Sequence, residues 1–496
     1  MAKYLYGAAV QGIQSFIFQT NKLRDIAGAS ELVNQICTTL FEDVAGKADV
    51  AYKKIVMAAG NIKVIFDDKS LLEKAVKEFP MRAMLMAPGI TISQAVVEYN
   101  DDYAVKSLEL EDLLRQERNR CVQPTISFSA IERSRTTGLP AVELRGKDKE
   151  WLDAATKAKR DVYNKEFFAL PQKSFGISYE QCKKQVEAEF KEIANKKSWL
   201  AVIHADGNGL GQLVQTIGNC TDKMKTFSAT LDEINTDAAQ EAYNKIKKYF
   251  EEDKIIPIRP IVLGGDDFTA VCRADFAIEY VEAYISAFER LSSERLAEEL
   301  ANAHMQKISI CAGIAFIKDT YPFHYGYTLA EELCSVAKKD AKSFVPEKQY
   351  LAESCIMFHK VQSSFVEDFD AIKQKELTTI DGRSYVFGPY YIHPQSERDT
   401  CKVLLDSVKK LSEGDKDMNK IKDMNKIKSH IRQWLTIMAD NGSDAAYQKS
   451  ERVLSLLKEK SDEKNLFEKA ITQKQRKDVI CYRAYDILSL VSVLIK

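Results

Sequence analysis

The spacing of apolar and polar positions changes period repeatedly over the first hundred residues. "KYLYGAAV" (Lys3–Val10) is a short apolar run that reads as a strand. Ile13–Val44 then carries its apolar residues at helical spacing, with a break expected near Gly28. "KKIVMAAGNIKVIFDD" reads as two strands around a turn at Ala59-Gly60-Asn61. "SLLEKAVKEFPMRAMLM" follows as a helix with Ser70 as its N-cap, and "GITISQAVVEY" closes the unit as a strand. The same order returns further along. "SWLAVIHAD" is a strand, "GNGLGQLVQTI" opens a helical region, and "TDAAQEAYNKIKKYFEED" is a helix. The hairpin "IRPIVLGGDDFTAVCRA" comes next, then a helix over Phe276–Leu300, the strand "ISICAGIAFIK" and the helix "TLAEELCSVAKKDAKSF". Two passes of βαββαβ predict a duplicated ferredoxin-like unit, repeated in pattern more than in residues.

The expected fold class is therefore α+β, in four parts. Residues 1–104 form a first palm-like unit, 105–195 a charged and mostly helical linker, 196–345 a second palm-like unit and 346–496 a helical C-terminal region. A direct repeat of "KDMNKI" lies in those last helices, and its six-residue period does not fit a coiled-coil heptad.

Composition narrows the class. At 496 residues the chain has room for roughly two to four domains. A net charge of −1 rules out a generally basic nucleic-acid coat, so any such contact is local or made by partner subunits. No apolar run approaches the roughly 20 residues of a membrane span, and the N-terminus lacks the pattern of a secretory signal. The ten cysteines form no CxxC pair, which points to reduced thiols in a cytoplasm and to no zinc. None of the six histidines precedes an Asp, so a His-Asp phosphohydrolase or nuclease motif is not expected.

The candidate chemistry sits on the hairpin. Gly264-Gly265-Asp266-Asp267 places two carboxylates at a turn where glycine lets backbone and substrate approach closely. Asp206 ends the strand expected beside it, and a cluster of three carboxylates repels itself unless cations bind it. Two Mg²⁺ or Mn²⁺ ions suit such oxygen ligands and would activate a hydroxyl for attack on an α-phosphate. Gly207-Asn208-Gly209 then exposes backbone amides at a helix start, which suits a triphosphate. Lys338 and Lys342 share one helical face and are placed to meet phosphates. Ser228 reads equally as a nucleotide contact or as an N-cap. His204 reads as a packed strand residue.

These motifs resemble the large palm-polymerase subunit of type III CRISPR effector complexes. The likeness is carried by "LGGDDF", "HADGNGLG", the N-terminal "AAVQGIQSFIFQTNKLRDIAGASELV", "ISICAGIAFIKDTYPF", "LAEELCSVAKKDAK" and "IMFHKVQSSF". It implies an RNA-guided antiviral subunit that makes a cyclic oligoadenylate from ATP when guide RNA pairs with target RNA. Asp206, Asp266 and Asp267, with the Gly207 carbonyl, would hold two metals. Asn208, Gly209, Gly264, Gly265 and Ser228 would line the nucleotide, while Lys338 and Lys342 hold its phosphates. Guide RNA, target RNA and other protein subunits are the implied partners. The first unit has no acid at the turn matching GGDD, in keeping with the family's single active palm. The family's HD nuclease motif and inter-palm cysteine motif are not found, Cys121 standing alone in that linker. Three other readings stay open: adenylation of another acceptor, a GGDEF-type diguanylate cyclase, in which Glu would replace Asp267, and a non-catalytic scaffold.

Overall fold

The structure is a computed structural model that describes residues 3–58, 60–119, 130–146, 149–166, 168–187, 189–218, 220–250, 255–343, 352–363, 368–394, 398–412, 418–459, 461–476 and 479–494. Ala59, Cys121 and the start of the KDMNKI repeat lie outside those residues.

The first sheet contains β1 (Lys3–Gln11), β2 (Lys53–Ala58), β3 (Asn61–Phe66) and β4 (Thr91–Tyr99), in the order β2-β3-β1-β4. Every neighbouring pair is antiparallel, which is the ferredoxin-like arrangement. Alternation along β1 separates two packed faces. Tyr6 turns to the cluster of Phe41 and Phe66, whereas Gly7 lies against Leu110 and Leu114 of the helix Tyr103–Arg118. The helix Lys69–Met86 starts one residue before Ser70. Its cap is Asp68, whose carboxylate accepts the Ser70 backbone N–H at 2.7 Å, so Ser70 is not the N-cap.

The break expected near Gly28 falls earlier, between the short helix Ile13–Ile17 and the helix Leu23–Gln35. Gly28 lies inside that second helix because another helix crosses it closely. A Cβ there would stand 2.0 Å from the carbonyl oxygen of Lys159, on the helix Ala154–Glu166. The crossing is tied by Arg160, which donates to both oxygens of the buried Asp25 at 2.8 and 3.1 Å. Before that helix comes a hairpin of β5 (Ala141–Arg145) and β6 (Glu150–Asp153).

The second sheet repeats the first. β7 (Trp199–Asn208), β8 (Ile258–Gly264), β9 (Asp267–Arg273) and β10 (Ser309–Lys318) take the order β8-β9-β7-β10, again antiparallel. The sheet then continues past residue 345. β11 (Cys355–Lys360) pairs in parallel with β10, and β12 (Tyr390–Tyr391) pairs with β11. The helix expected from Thr236 begins at Thr221 and runs to Lys247, so Ser228 is an interior helical residue and not a cap. The helix Phe323–Ser343 buries Leu329, Ala330, Leu333, Cys334, Ala337 and Ala341 on one stripe. It can lie flat on the sheet because Gly313 of β10 has no side chain.

Among the described residues five helices follow, from Cys401–Ser412 to Ala484–Val493, with a hairpin of β13 (Gln473–Arg476) and β14 (Val479–Tyr482) between the last two. The final helix returns to the second sheet, where Lys360 Nζ donates to Ser492 Oγ at 2.7 Å. Among the described residues no helix is long and apolar enough to cross a membrane.

Candidate active site

β7 is the central strand of the second sheet, and its end builds the site. Asp206 is the register partner of Cys311 on β10, whereas the pairing with β9 stops at Ala205–Phe268. Past that point the β8–β9 hairpin curls over the end of β7. Its loop is Gly265-Asp266, closed by the Gly264–Asp267 pair, and Gly265 takes φ +62° while Asp266 keeps negative φ. Positive φ at the first loop residue alone is the type II′ pattern, which explains a glycine there.

The fold brings Asp206 and Asp266 together. Their carboxyls share a hydrogen bond, and Asp266 is pushed up from the ordinary carboxylate range by burial first and by the Asp206 charge next. Gly207 permits the approach, since a Cβ there would meet Asp266 Cβ and Oδ2 at 2.9 Å. Lys338 reaches in from the overlying helix, binding Asp206 Oδ2 and the Gly207 carbonyl, the latter at 3.0 Å.

Asp267 departs from the expected three-carboxylate cluster. Its carboxylate sits beside His204, on the face of β7 that also carries Asp206, rather than in the Asp206–Asp266 contact. There its Oδ1 stands 3.6 Å from His204 Nδ1, buried and without a hydrogen-bond partner. Burial, then the charges of Asp206 and Asp266, raise its carboxyl pKa. The side chain is 42% exposed, so cavity water tempers that rise. His204 is held below the usual imidazole range by burial and meets Thr269 Oγ1 at 3.1 Å, so it packs as a neutral ring.

The other expected residues separate into two groups. Gly264 lines the cavity with Asp267, and Gly265 has open space around its Cα, as a substrate-facing turn requires. Gly209 caps the helix Leu210–Ile217 in the left-handed region at φ +86°, with Met305 against it. Asn208 follows Asp206 by two residues on the same face of β7. It is buried in the sheet, where Nδ2 donates to Ser309 Oγ and Cys311 Sγ, both at 3.2 Å. Lys342 is exposed one turn beyond Lys338. Ser228 is half-buried, two turns before Asn235 on the same helix.

A cavity of 380 Å³ opens beside Asp267, between the two sheets' units. The first unit lines it with Gln14, Phe18, Ser30 and Asn34, the second with Leu263 and Tyr327. Gln14 Nε2 bridges the junction, donating to Tyr327 OH and Glu331 Oε1, both at 3.0 Å. Phe18 packs on Tyr327 with ring centres 4.0 Å apart. The sequence reading gave no role to Gln14, Tyr327 or Asn235.

The oxygens of Asp206, Gly207 and Asp266 converge on one side of the strand end. Hard oxygen donors of this kind fit Mg²⁺ or Mn²⁺. The Lys338 ammonium on two of them marks a place where positive charge is demanded. Among the described residues no group of three His, Cys, Asp or Glu side chains forms a metal cage.

Residues 199–345 match the family model for the second palm domain of Cas10/Cmr2. That stretch is similar to the family's second palm domain. The chain's fold agrees with solved Csm1–Csm4 structures over its whole length. It covers 100% of this chain and 70% of the matched chain in a Csm1–Csm4 cassette in complex with cA4, at TM-score 0.58 and 13% identity. The cassette in complex with one ATP gives TM-score 0.59 at 12% identity, over the same shares of the two chains. The Csm1–Csm4 subcomplex in the type III-A CRISPR-Csm interference complex gives 0.56 at 12%, again with those coverages. At such identities the likeness is one of fold. No curated protein matches the sequence.

Proposed function

We propose that the chain is a nucleotidyltransferase subunit of an RNA-guided type III effector complex, making an oligoadenylate second messenger from ATP. One observation carries the reading. Asp206 and Asp266 meet beneath a lysine, and the next residue, Asp267, lines a cavity shared by two palm-like units. The solved relatives bind ATP, AMPPNP and cA4 in the same overall fold, which supports the nucleotide class.

In the proposed reaction the 3′-hydroxyl of one ATP attacks the α-phosphate of another. A phosphodiester bond forms, the bond to the β-phosphate breaks, and pyrophosphate leaves while the hydroxyl proton is lost. Mg²⁺ or Mn²⁺ held by Asp206, Asp266 and the Gly207 carbonyl would supply Lewis acidity at the attacking and leaving oxygens. Asp267 presents a second carboxylate toward the cavity, suited to a second ion or to the hydroxyl proton. Gly264 and Gly265 leave room for the nucleotide at the hairpin. Lys338 pairs with Asp206 and offers its ammonium to the triphosphate, with Lys342 one turn away. The aromatic wall of Phe18 and Tyr327 suits a stacked base. Guide and target RNA would be held by the assembled complex, consistent with a chain of net charge −1.

Labelled ATP and labelled GTP, each given to the complex with Mg²⁺ or Mn²⁺ and target RNA, test the substrate. Product from ATP supports the reading; product from GTP alone would overturn it in favour of a diguanylate cyclase. A Lys338→Met variant is expected to lower turnover about 10–100-fold and to raise the ATP KM, measured from initial rates, because one charge-assisted contact to phosphate is lost.

A further inference from the structure

The GGDD hairpin is steered from beneath by two residues that touch neither solvent nor substrate. Asn235 is fully buried on the helix Thr221–Lys247. Its Nδ2 donates to the Gly265 carbonyl at 2.9 Å and to the Asp267 carbonyl at 3.2 Å. Its Oδ1 accepts from Tyr284 OH at 2.9 Å. Tyr284 is itself fully buried on the helix Ala277–Arg295 and stacks on Phe268, the residue after Asp267, with ring centres 4.7 Å apart.

The two carbonyls are the ones that bracket Asp266. In a two-residue loop the first loop carbonyl turns away from the partner strand and has no ladder donor. Asn235 supplies that donor and a second one to the strand after it. The peptide plane before Asp266 and the one after Asp267 are thereby pinned, and with them the path of the backbone that aims the Asp266 carboxylate toward Asp206. The phenol fixes the amide in turn: with Tyr284 donating to Oδ1, only Nδ2 can face the hairpin. An exposed turn has no need of a buried amide placed between two of its carbonyls.

We infer that Asn235, locked by Tyr284, is the positioning residue that sets Asp266 against Asp206 for the reaction. The inference rests on the proposed nucleotidyl transfer for its kinetic arm and on the fold alone for its exchange arm.

Asn235→Ala, Asn235→Asp and Tyr284→Phe in the full chain, assembled with its partner subunits, test it. Both Asn235 variants should lower kcat at least about tenfold and leave the ATP KM within about threefold, because alignment is lost and binding is not. Asp would be no milder than Ala, since a carboxylate facing two carbonyls donates nothing. Tyr284→Phe keeps the stack on Phe268 and should lower kcat by about two- to fivefold. Amide hydrogen exchange across residues 258–273 should speed up in all three. Asn235→Ala with full kcat and unchanged exchange would overturn the inference. If the Asn235 variants fail to fold, Tyr284→Phe decides by the same two readings. If the unmodified chain turns over no nucleotide, the proposed function fails, and hydrogen exchange alone decides whether the pair holds the hairpin.

Discussion

Asp266→Ala, and separately Asp206→Ala, will reduce nucleotide turnover at least about a thousandfold without unfolding the protein. The size follows from what the pair supplies: losing several kcal/mol of charge stabilisation at the transferring phosphate, at about 1.4 kcal/mol per tenfold, gives three decades or more. The stability effect should run the other way. Asp266 is half-buried beside Asp206, and burial plus that neighbouring charge already disfavour its ionised form. Removing one carboxylate relieves the conflict, so Asp266→Ala should melt at the same temperature as the parent or a few degrees above it. A site that costs stability and gives activity is the usual signature of function. Initial rates with ATP, paired with thermal unfolding of the same samples, check both signs. Loss of activity through loss of fold would count against the assignment.

Gly313→Ala should be the most damaging small substitution in the second unit. A Cβ at Gly313 would lie 1.9 Å from the Ala330 carbonyl oxygen and 2.5 Å from the Cys334 backbone N. Both are backbone atoms, so no side chain can swing aside and the helix Phe323–Ser343 must lift from the sheet. Overpacking of this kind costs about 3 kcal/mol or more. Lys338 lies one turn beyond Cys334 on that helix, so the same shift draws its ammonium away from Asp206. Gly211→Ala is the contrast. It lies in the helix Leu210–Ile217 with nothing within 4 Å of an added Cβ. It should be neutral or stabilising by up to about 1 kcal/mol. Urea unfolding of the two variants measures the difference, and equal midpoints would contradict the close helix–sheet packing.

Much of this was legible in the sequence because the signals were local. Strand alternation and the two-glycine turn placed the hairpin, and the strand ending in Asp206 placed its partner. The i,i+4 lysines were found by helical spacing, although only Lys338 reaches the acids. Local signals failed where a distant partner decides. Gly28 reads as a breaker until Lys159 is known to pass 2.0 Å from where its Cβ would be. Asn208 reads as part of a glycine-rich loop, yet β7 runs through it and β10 claims its side chain. Asp266 and Asp267 read as one cluster, whereas the strand resumes at Asp267 and sets its carboxylate beside His204. Asn235 was missed because the helix was expected to start at Thr236, after a stretch rich in Thr, Ser and Asp. Met224, Phe227, Leu231 and Ile234 carry the helical spacing that marks its true start. The cavity between the two units is formed by residues far apart in the chain, and no local pattern announces it.

The central claim is that the paired carboxylates of the second palm, at the junction with the first, join ATP molecules into an oligoadenylate. Mass spectrometry of the products from the assembled complex, with ATP, Mg²⁺ or Mn²⁺ and target RNA, tests it most directly. The account predicts oligoadenylates with pyrophosphate in the parent and neither in Asp266→Ala. Adenylate on a non-nucleotide acceptor, or oligoadenylate undiminished in Asp266→Ala, would contradict it.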